Sequence, residues 1–321
     1  MEKTSRIYIA GHDGLVGSAL VRKFTQNGYA NLITRHYTKL DLRRQQDVET
    51  FFENEKPEYV VLAAAKVGGI LANDTFPAEF IYDNLAIETN IIHAAWKANV
   101  KRVIFLGSSC IYPRECPQPM REDHLLTGTL ESTNEPYAIA KIAGIKMCQS
   151  YNRQYGTTYF ALMPTNLYGP YDNFNLETSH VLPALIRKFH EAKVTSTESV
   201  TVWGTGSPRR EFLHVDDLAD ACLHIINLDD QVYRSLISDK MAPLVNVGCG
   251  KDNSIKEMAL MIQEIIGFEG EIIFDTTKPD GTPQKLLAVS LLNKLGWKQT
   301  IPLKKGIADT YQWCLENHIF T

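Results

Sequence analysis

Tyr137 and Lys141 stand four residues apart, the spacing that brings two side chains onto one helix face. An ammonium beside a phenol draws the phenol's pKa down towards neutrality. Such a tyrosine gives or takes the proton of a carbonyl/alcohol pair while a nicotinamide exchanges hydride with the carbon. Y-x-x-x-K arises often by chance, so its setting matters. Upstream, an apolar run ends in Phe105-Leu106-Gly107-Ser108-Ser109-Cys110, which would present the Ser108 hydroxyl at the carboxyl edge of a sheet. Reduction of a carbonyl, or its reverse, is the chemistry that these three residues indicate. By its own chemistry Cys110 reads more readily as a small core residue than as a base. A lone His180 likewise reads more readily as a capping or surface side chain than as an acid.

A second constellation opens the chain. Gly11-His12-Asp13-Gly14-Leu15-Val16-Gly17 is a G-x-x-G-x-x-G turn that directly follows the apolar strand Arg6–Ala10. Small residues there let the backbone approach a pyrophosphate, and the N-terminus of the next helix supplies N–H donors and a positive dipole end. The end of the second strand then selects the cofactor. Thr34-Arg35-His36-Tyr37 carries no acid before Asp41, which favours NADPH with Arg35 and His36 near its 2′-phosphate. Asp13 opposes that choice, because a carboxylate in the glycine turn repels the same phosphate.

These groups need a frame. Apolar runs at Tyr59–Ala65, Val103–Gly107 and Tyr159–Met163 alternate with helical stretches, including Pro77–Asn99 and Tyr137–Tyr155. Continuous apolar strands separated by helices imply a doubly wound α/β (Rossmann) fold with a parallel sheet covered on both faces. After Gly169 come a helix at His180–Ala192, a strand at Val200–Trp203, the loop Gly204–Pro208 and the polar run Arg210–Asp217. Leu244–Val247 reads as a strand returning to the first sheet, ahead of helices at Ser254–Ile266 and Ile307–Glu316. The division expected is a dinucleotide-binding unit of residues 1–173 and 213–250, with a smaller, discontinuous lobe of 174–212 and 251–321.

Composition narrows the class. With 321 residues, 44% of them hydrophobic and 22% charged, the chain has the make-up of a globular protein. A net charge of −4 lacks the basic field that nucleic-acid or membrane-surface binding requires. No apolar run approaches a membrane span, and Met1–Arg6 does not lead into a signal-peptide core, so a cytoplasmic location is expected. The six cysteines show no C-x-x-C spacing, which suits reduced thiols and no metal site.

The motifs together resemble the extended short-chain dehydrogenase/reductase superfamily. Within it the chain is similar, over nearly its full length, to the epimerase–reductases that convert GDP-4-keto-6-deoxy-D-mannose to GDP-L-fucose. Segments carrying the likeness are Ala10–His12, Ala64-Ala65-Lys66-Val67-Gly68-Gly69-Ile70, Gly107–Pro113, Asn134–Lys141, Met163–Pro170 and Lys278–Lys285. The resemblance implies that Ser108 hydrogen-bonds the substrate carbonyl, Tyr137 protonates its oxygen, and Lys141 tunes Tyr137 and holds the nicotinamide ribose.

It further implies Cys110 as base and His180 as acid for inverting the two carbons beside the ketone. A thiol suits the base role, since its ordinary pKa of about 8.5 needs little lowering, and histidine is poised to donate near neutrality. In related 4,6-dehydratases a carboxylate follows the serine where this chain has sulfur. The cofactor contacts implied are Gly11, His12, Gly14, Leu15, Val16, Gly17, Arg35, Asp41, Leu42, Ala64, Lys141, His180 and Pro164-Thr165-Asn166-Leu167. Those implied for the GDP-sugar are Lys188, Trp203, Arg210, Asp280 and Lys285. Lys188 departs from the arginine common at that place, exchanging a bidentate fork for a point charge. Arg209 reads as a solvated cation. A homodimer through the two long helices is the family expectation. Two other readings stay open: another nucleotide-sugar enzyme, such as a 4-epimerase or 4-reductase, and a non-catalytic NAD(P)-sensing protein.

Overall fold

Successive residues of each strand point to opposite faces, and here both faces are apolar. Tyr8 and Ala10 join one core cluster while Ile7 and Ile9 join another; Val103 and Phe105 divide from Ile104 and Leu106 in the same way. A strand with no polar face belongs inside a sheet covered on both sides. The computed structural model describes residues 1–238, 241–278 and 280–320; Pro279, within the Lys278–Lys285 segment, lies outside them, as does Thr321 at the end of the expected second lobe.

Six strands form the sheet in the order Leu32–Ile33, Ile7–Ala10, Tyr59–Leu62, Arg102–Leu106, Tyr159–Pro164, Leu244–Val247. Every neighbouring pair is parallel. The expected return of Leu244–Val247 is therefore met, with Pro164 opposite Val247. The helices Gln45–Glu55, Pro77–Lys97 and Glu135–Tyr155 cover one face through Phe52, Ile91, Ile92, Ile142 and Ile145. Leu15–Gln26 and Val215–Ile226 cover the other through Leu20, Phe24, Leu218 and Ile225. Each such side chain contributes about 1.5–3 kcal/mol by leaving water.

A third cluster is separate. The helices Val181–Val194, Ile255–Ile266 and Leu303–Glu316 bury Leu185, Ile186, Phe189, Met258, Ile262 and Ile307 against Val200, Val202 and Phe212. Several elements here were not anticipated from sequence, and two of them bear on the site. Glu271–Asp275 pairs in parallel with Ser199–Trp203. The polar run after Ser207 becomes the strand Arg209–His214, and then a helix that His214 caps by accepting from Asp216 N at 3.2 Å. Its charges obscure a strand whose last four residues are buried.

Glu211 in that strand is fully buried. Its carboxylate accepts from Gly250 N at 2.6 Å and from Leu287 N at 2.9 Å, tying the chain after the sheet to the segment that returns from the third cluster. Burial raises its pKa against the pull of those N–H groups. Glu211→Leu leaves the buried Leu287 N–H unmade at about 1–3 kcal/mol and the more exposed Gly250 N–H without its partner. Urea denaturation should therefore show a loss of a few kcal/mol; an unchanged midpoint would show that water replaces the carboxylate.

Candidate active site

Parallel pairing in register brings the ends of the strands to one edge. Ala10 lies opposite Leu62, Leu62 opposite Phe105, and Leu106 opposite Leu162. Gly11, Ala64, Ser108 and Thr165 follow those strand ends directly, so the segments expected to hold cofactor and substrate share the edge where such folds bind ligands.

At the first strand Gly11 takes φ +84°, and a Cβ on it would lie 2.7 Å from Ala64 Cα. A Cβ on Gly17 would run into the Gly11 carbonyl and lie 2.6 Å from His12 Cα, so glycine is required for the helix to pack on the turn. Gly14 differs. A Cβ there would meet only Gly11 O at 3.7 Å, an ordinary contact, so its smallness leaves room outside the fold. Gly14 also starts the helix Leu15–Gln26 without a side-chain cap, leaving first-turn N–H groups for a ligand. His12 Nδ1 is buried and has no partner among the described residues. An open glycine cradle, uncapped amides and an orphaned ring nitrogen fit a dinucleotide pyrophosphate.

The selectivity residues are engaged with one another. Arg35 pairs with Glu55, donates to Thr34 O at 2.7 Å and lies over the Phe51 ring at 5.6 Å. Asp13 pairs with His12 at 2.5 Å and has His36 at 3.6 Å. Two imidazoles thus share the carboxylate that sequence set against Arg35. Asp41 is bound by Arg43 Nε and Nη2, both at 2.9 Å, which holds its carboxyl below the usual range. Leu42 fixes its backbone through Asn90 Nδ2 at 2.9 Å.

At the fourth strand Ser108 Oγ accepts from Cys110 N at 3.3 Å and caps the one-turn helix Ser109–Ile111. That leaves the hydroxyl proton to donate outward. Tyr137 lies in the first turn of Glu135–Tyr155, which begins two residues earlier than expected because Pro136 is tolerated at a helix start. Its ring meets Phe80 edge-on at 6.3 Å.

One expectation is corrected. The Tyr137 phenol is pushed up, first by burial and then by the charges of Cys110 and Glu88, while the Ser108 hydroxyl pulls it down. Lys141 Nζ stands 5.9 Å from the Tyr137 ring and 4.7 Å from the Phe105 ring. Burial also lowers the pKa of Lys141 itself. The phenol is therefore held protonated, the state of a donor.

Cys110 is half-buried and lies within electrostatic reach of both Tyr137 and Arg210. His180 precedes the helix Val181–Val194 as its N-cap residue, and desolvation lowers its pKa. Gly69 N donates to Thr178 O at 3.0 Å, so the Ala64–Ile70 segment packs on the residues that lead to His180. Among the implied nicotinamide contacts, Pro164 ends its strand. Thr165 Oγ1 and Asn166 Nδ2 both donate to Glu211 O, at 3.1 and 2.9 Å, and Leu167 lies in the next strand, Asn166–Tyr168.

The polar residues beside the third cluster separate by partner. Arg209 stays partly exposed, as expected of a solvated cation, and pairs with Asp252 at 2.8 Å. Arg210 lies opposite Lys285 and donates to Arg209 O at 2.8 Å, and burial lowers its pKa. Asp280 accepts from Thr205 N at 2.9 Å and Oγ1 at 2.7 Å, which holds its carboxyl low and fixes the Gly204–Pro208 loop. Trp203 is 60% exposed, with Lys188 Nζ 5.3 Å and Lys278 Nζ 5.5 Å from its ring. Sequence reasoning missed Lys278 and Glu88. Glu88 left a signal: it interrupts the stripe Phe80, Asn84, Ile91, Ile92, Ala95 on the buried side of its helix. Lys278 left none, since only the Asp275–Trp203 pairing places it.

A parallel sheet with a glycine turn at its first strand and a Ser/Tyr/Lys set at the same edge defines a nicotinamide-dependent carbonyl enzyme. The chain belongs to the NAD dependent epimerase/dehydratase family, whose model matches residues 7–236. It is 56% identical to GDP-L-fucose synthase 1 of Arabidopsis thaliana over 98% of this chain and 95% of that protein. It is 55% identical to GDP-L-fucose synthase of Escherichia coli strain K12 over 97% of each. Among solved structures, the GDP-mannoheptose C4 reductase from Campylobacter jejuni with NADP bound is 44% identical, with a TM-score of 0.90 over 98% of this chain and 99% of that one.

Gly17→Ala tests the turn. Forcing a methyl against the Gly11 carbonyl should cost about 1–3 kcal/mol, and fluorescence titration should show NADPH binding at least about tenfold weaker. Wild-type affinity in this variant would remove the turn from the cofactor site.

Proposed function

We propose that this chain is a bifunctional 3,5-epimerase and 4-reductase that converts GDP-4-keto-6-deoxy-D-mannose to GDP-L-fucose with NADPH. The observation that carries the reading is a thiol, Cys110, in the same turn as Ser108 and in electrostatic reach of Tyr137. A reductase needs no such acid–base group beside its proton donor. The relatives named GDP-L-fucose synthase, similar over nearly the full chain, supply the substrate.

Protons on C3 and C5 are acidified by the neighbouring C4 ketone. Cys110, as thiolate, removes each one and leaves an enolate, whose oxygen Ser108 and Tyr137 stabilise by hydrogen bonding. His180 returns a proton to the opposite face. Desolvation lowers the pKa of His180 in the free site; the nucleotide diphosphate brings negative charge that favours its protonated form. For reduction, Tyr137 gives its proton to the C4 oxygen, with Ser108 holding that oxygen and Lys141 stabilising the phenolate left behind. NADPH supplies the hydride to C4. Arg210, Lys285 and Lys188 serve the diphosphate, Trp203 is a further GDP-sugar contact, and Asp280 positions the loop beside them. The second lobe, 174–212 and 251–321, is the GDP-sugar unit and the remainder is the dinucleotide unit.

A C4 reduction without epimerisation is the competing reading, favoured by the likeness to the C4 reductase. Deuterium exchange separates the two. In D2O, wild type should place deuterium at C3 and C5, Cys110→Ser should lose that exchange by about 10²-fold or more, and Tyr137→Phe should keep part of it. Tyr137→Phe should in turn lose about 10²–10⁴-fold in NADPH oxidation. Full exchange by Cys110→Ser would remove the thiol as base, and NADPH oxidation without wild-type exchange would leave a 4-reductase.

A cytoplasmic homodimer completes the proposal. Tyr82, Ile139 and Tyr155, exposed on Pro77–Lys97 and Glu135–Tyr155, support an interface on these two helices. Among the described residues no helix is long and apolar enough to cross a membrane. Light scattering should give twice the chain mass of 36.2 kDa; a single chain mass would exclude the dimer.

A further inference from the structure

Two polar residues interrupt the buried stripe of the Pro77–Lys97 helix, and they differ in what they bind. Asn84 accepts from Lys66 N at 3.0 Å and donates to Lys66 O at 3.0 Å and Phe80 O at 2.7 Å. Glu88, one turn on, is 2% exposed, and among the described residues neither carboxylate oxygen has a well-aligned hydrogen-bond partner; burial raises its pKa against the pull of Lys141 and of the Gly144 N–H. An unpartnered buried carboxylate costs several kcal/mol, so it stands where something other than stability requires it.

Its surroundings point to Lys141. The helix facing Glu88 is Glu135–Tyr155, which carries Tyr137 and Lys141. Gly144, three residues beyond Lys141, faces Glu88 across the gap: a Cβ there would lie 3.1 Å from Glu88 Cδ and 2.5 Å from Phe105 Cζ. The Phe105 ring on one side thus closes the space at Gly144, and on the other it underlies Lys141 Nζ at 4.7 Å. Lys141 is itself buried, 2% exposed.

We propose that Glu88 is a positioning residue for the reaction, the buried counter-charge that keeps Lys141 protonated behind Tyr137. The ionisable groups facing it from the packed helix are Lys141, Tyr137 and Cys148. Glu88 is the charge that opposes the lowering of Lys141 by burial, and Lys141 in return opposes the raising of Glu88 by burial. The cleft needs a cation under the phenol and is too dry to hold one alone, so the fold places a carboxylate on its core side. This role rests on the reading of Lys141 given above.

The test compares wild type with Glu88→Gln, which keeps shape and removes charge, and with Glu88→Asp, which keeps charge on a shorter arm. One arm needs no substrate: a ¹³Cε-lysine NMR titration of the full chain, with the Lys141 signal assigned by its loss in Lys141→Arg. Glu88→Gln should move the Lys141 midpoint about one pH unit or more to lower pH, and Glu88→Asp should restore part of it. The second arm is NADPH oxidation with GDP-4-keto-6-deoxy-D-mannose, whose alkaline limb should move by the same amount in the same order. Circular dichroism melting confirms that each variant is folded; where Glu88→Gln is not, Glu88→Asp against wild type carries the comparison. An unchanged Lys141 midpoint in a folded variant overturns the proposal. Absence of wild-type turnover on this sugar, with the midpoint displaced as expected, would instead sink the substrate assignment and leave Glu88 in place.

Discussion

Parallel register is the constraint on which the rest depends. Each neighbouring strand pair runs in the same direction, so the chain leaves every strand at the same edge and deposits there whatever residues come next. Gly11, Ala64, Ser108 and Thr165 are scattered over more than 150 positions yet become neighbours for this reason alone. The apolar residues on both strand faces secure that register, because a slip would remove matched side chains from both clusters together.

Around this edge the fold uses burial to set charge. Tyr137 is held as a phenol by desolvation, which suits a proton donor. The same desolvation acts against the cation beneath it, and Glu88 lies on the core side of that cation. Desolvation also lowers the pKa of His180, at the exposed start of its helix, and of half-buried Arg210. A site that is dry before the ligand arrives strengthens every charge that the ligand brings. By contrast the cations that serve structure, Arg209 and Arg43, already have carboxylate partners.

The cofactor-selecting region shows how pairing alters a reading made from single residues. Asp13 and Arg35 oppose one another on paper as repeller and attractor of a 2′-phosphate. In the fold Asp13 is shared between His12 and His36, and Arg35 is braced by Glu55. Neither residue stands alone, so the two cannot be weighed against each other as isolated charges.

Much was legible in the sequence because the information is local. Strand, glycine turn and helix follow one another within residues 6–27, and Tyr137 and Lys141 share a helix by spacing alone. The chemistry of Ser108 and the doubly wound sheet follow from such short-range patterns, and the resemblance to the epimerase–reductases extended them to Cys110 and His180. What tertiary structure decided are the contacts between distant segments. It separated Arg209, bound to Asp252, from its neighbour Arg210, and it set Lys278 over Trp203 through a strand pairing that no local pattern announced. It also reversed the expected direction for Tyr137, since a one-helix argument sees a lysine four residues away but not the burial around the pair. Proximity along a helix is written in spacing; desolvation is a property of everything packed around a group, and only the folded chain defines it.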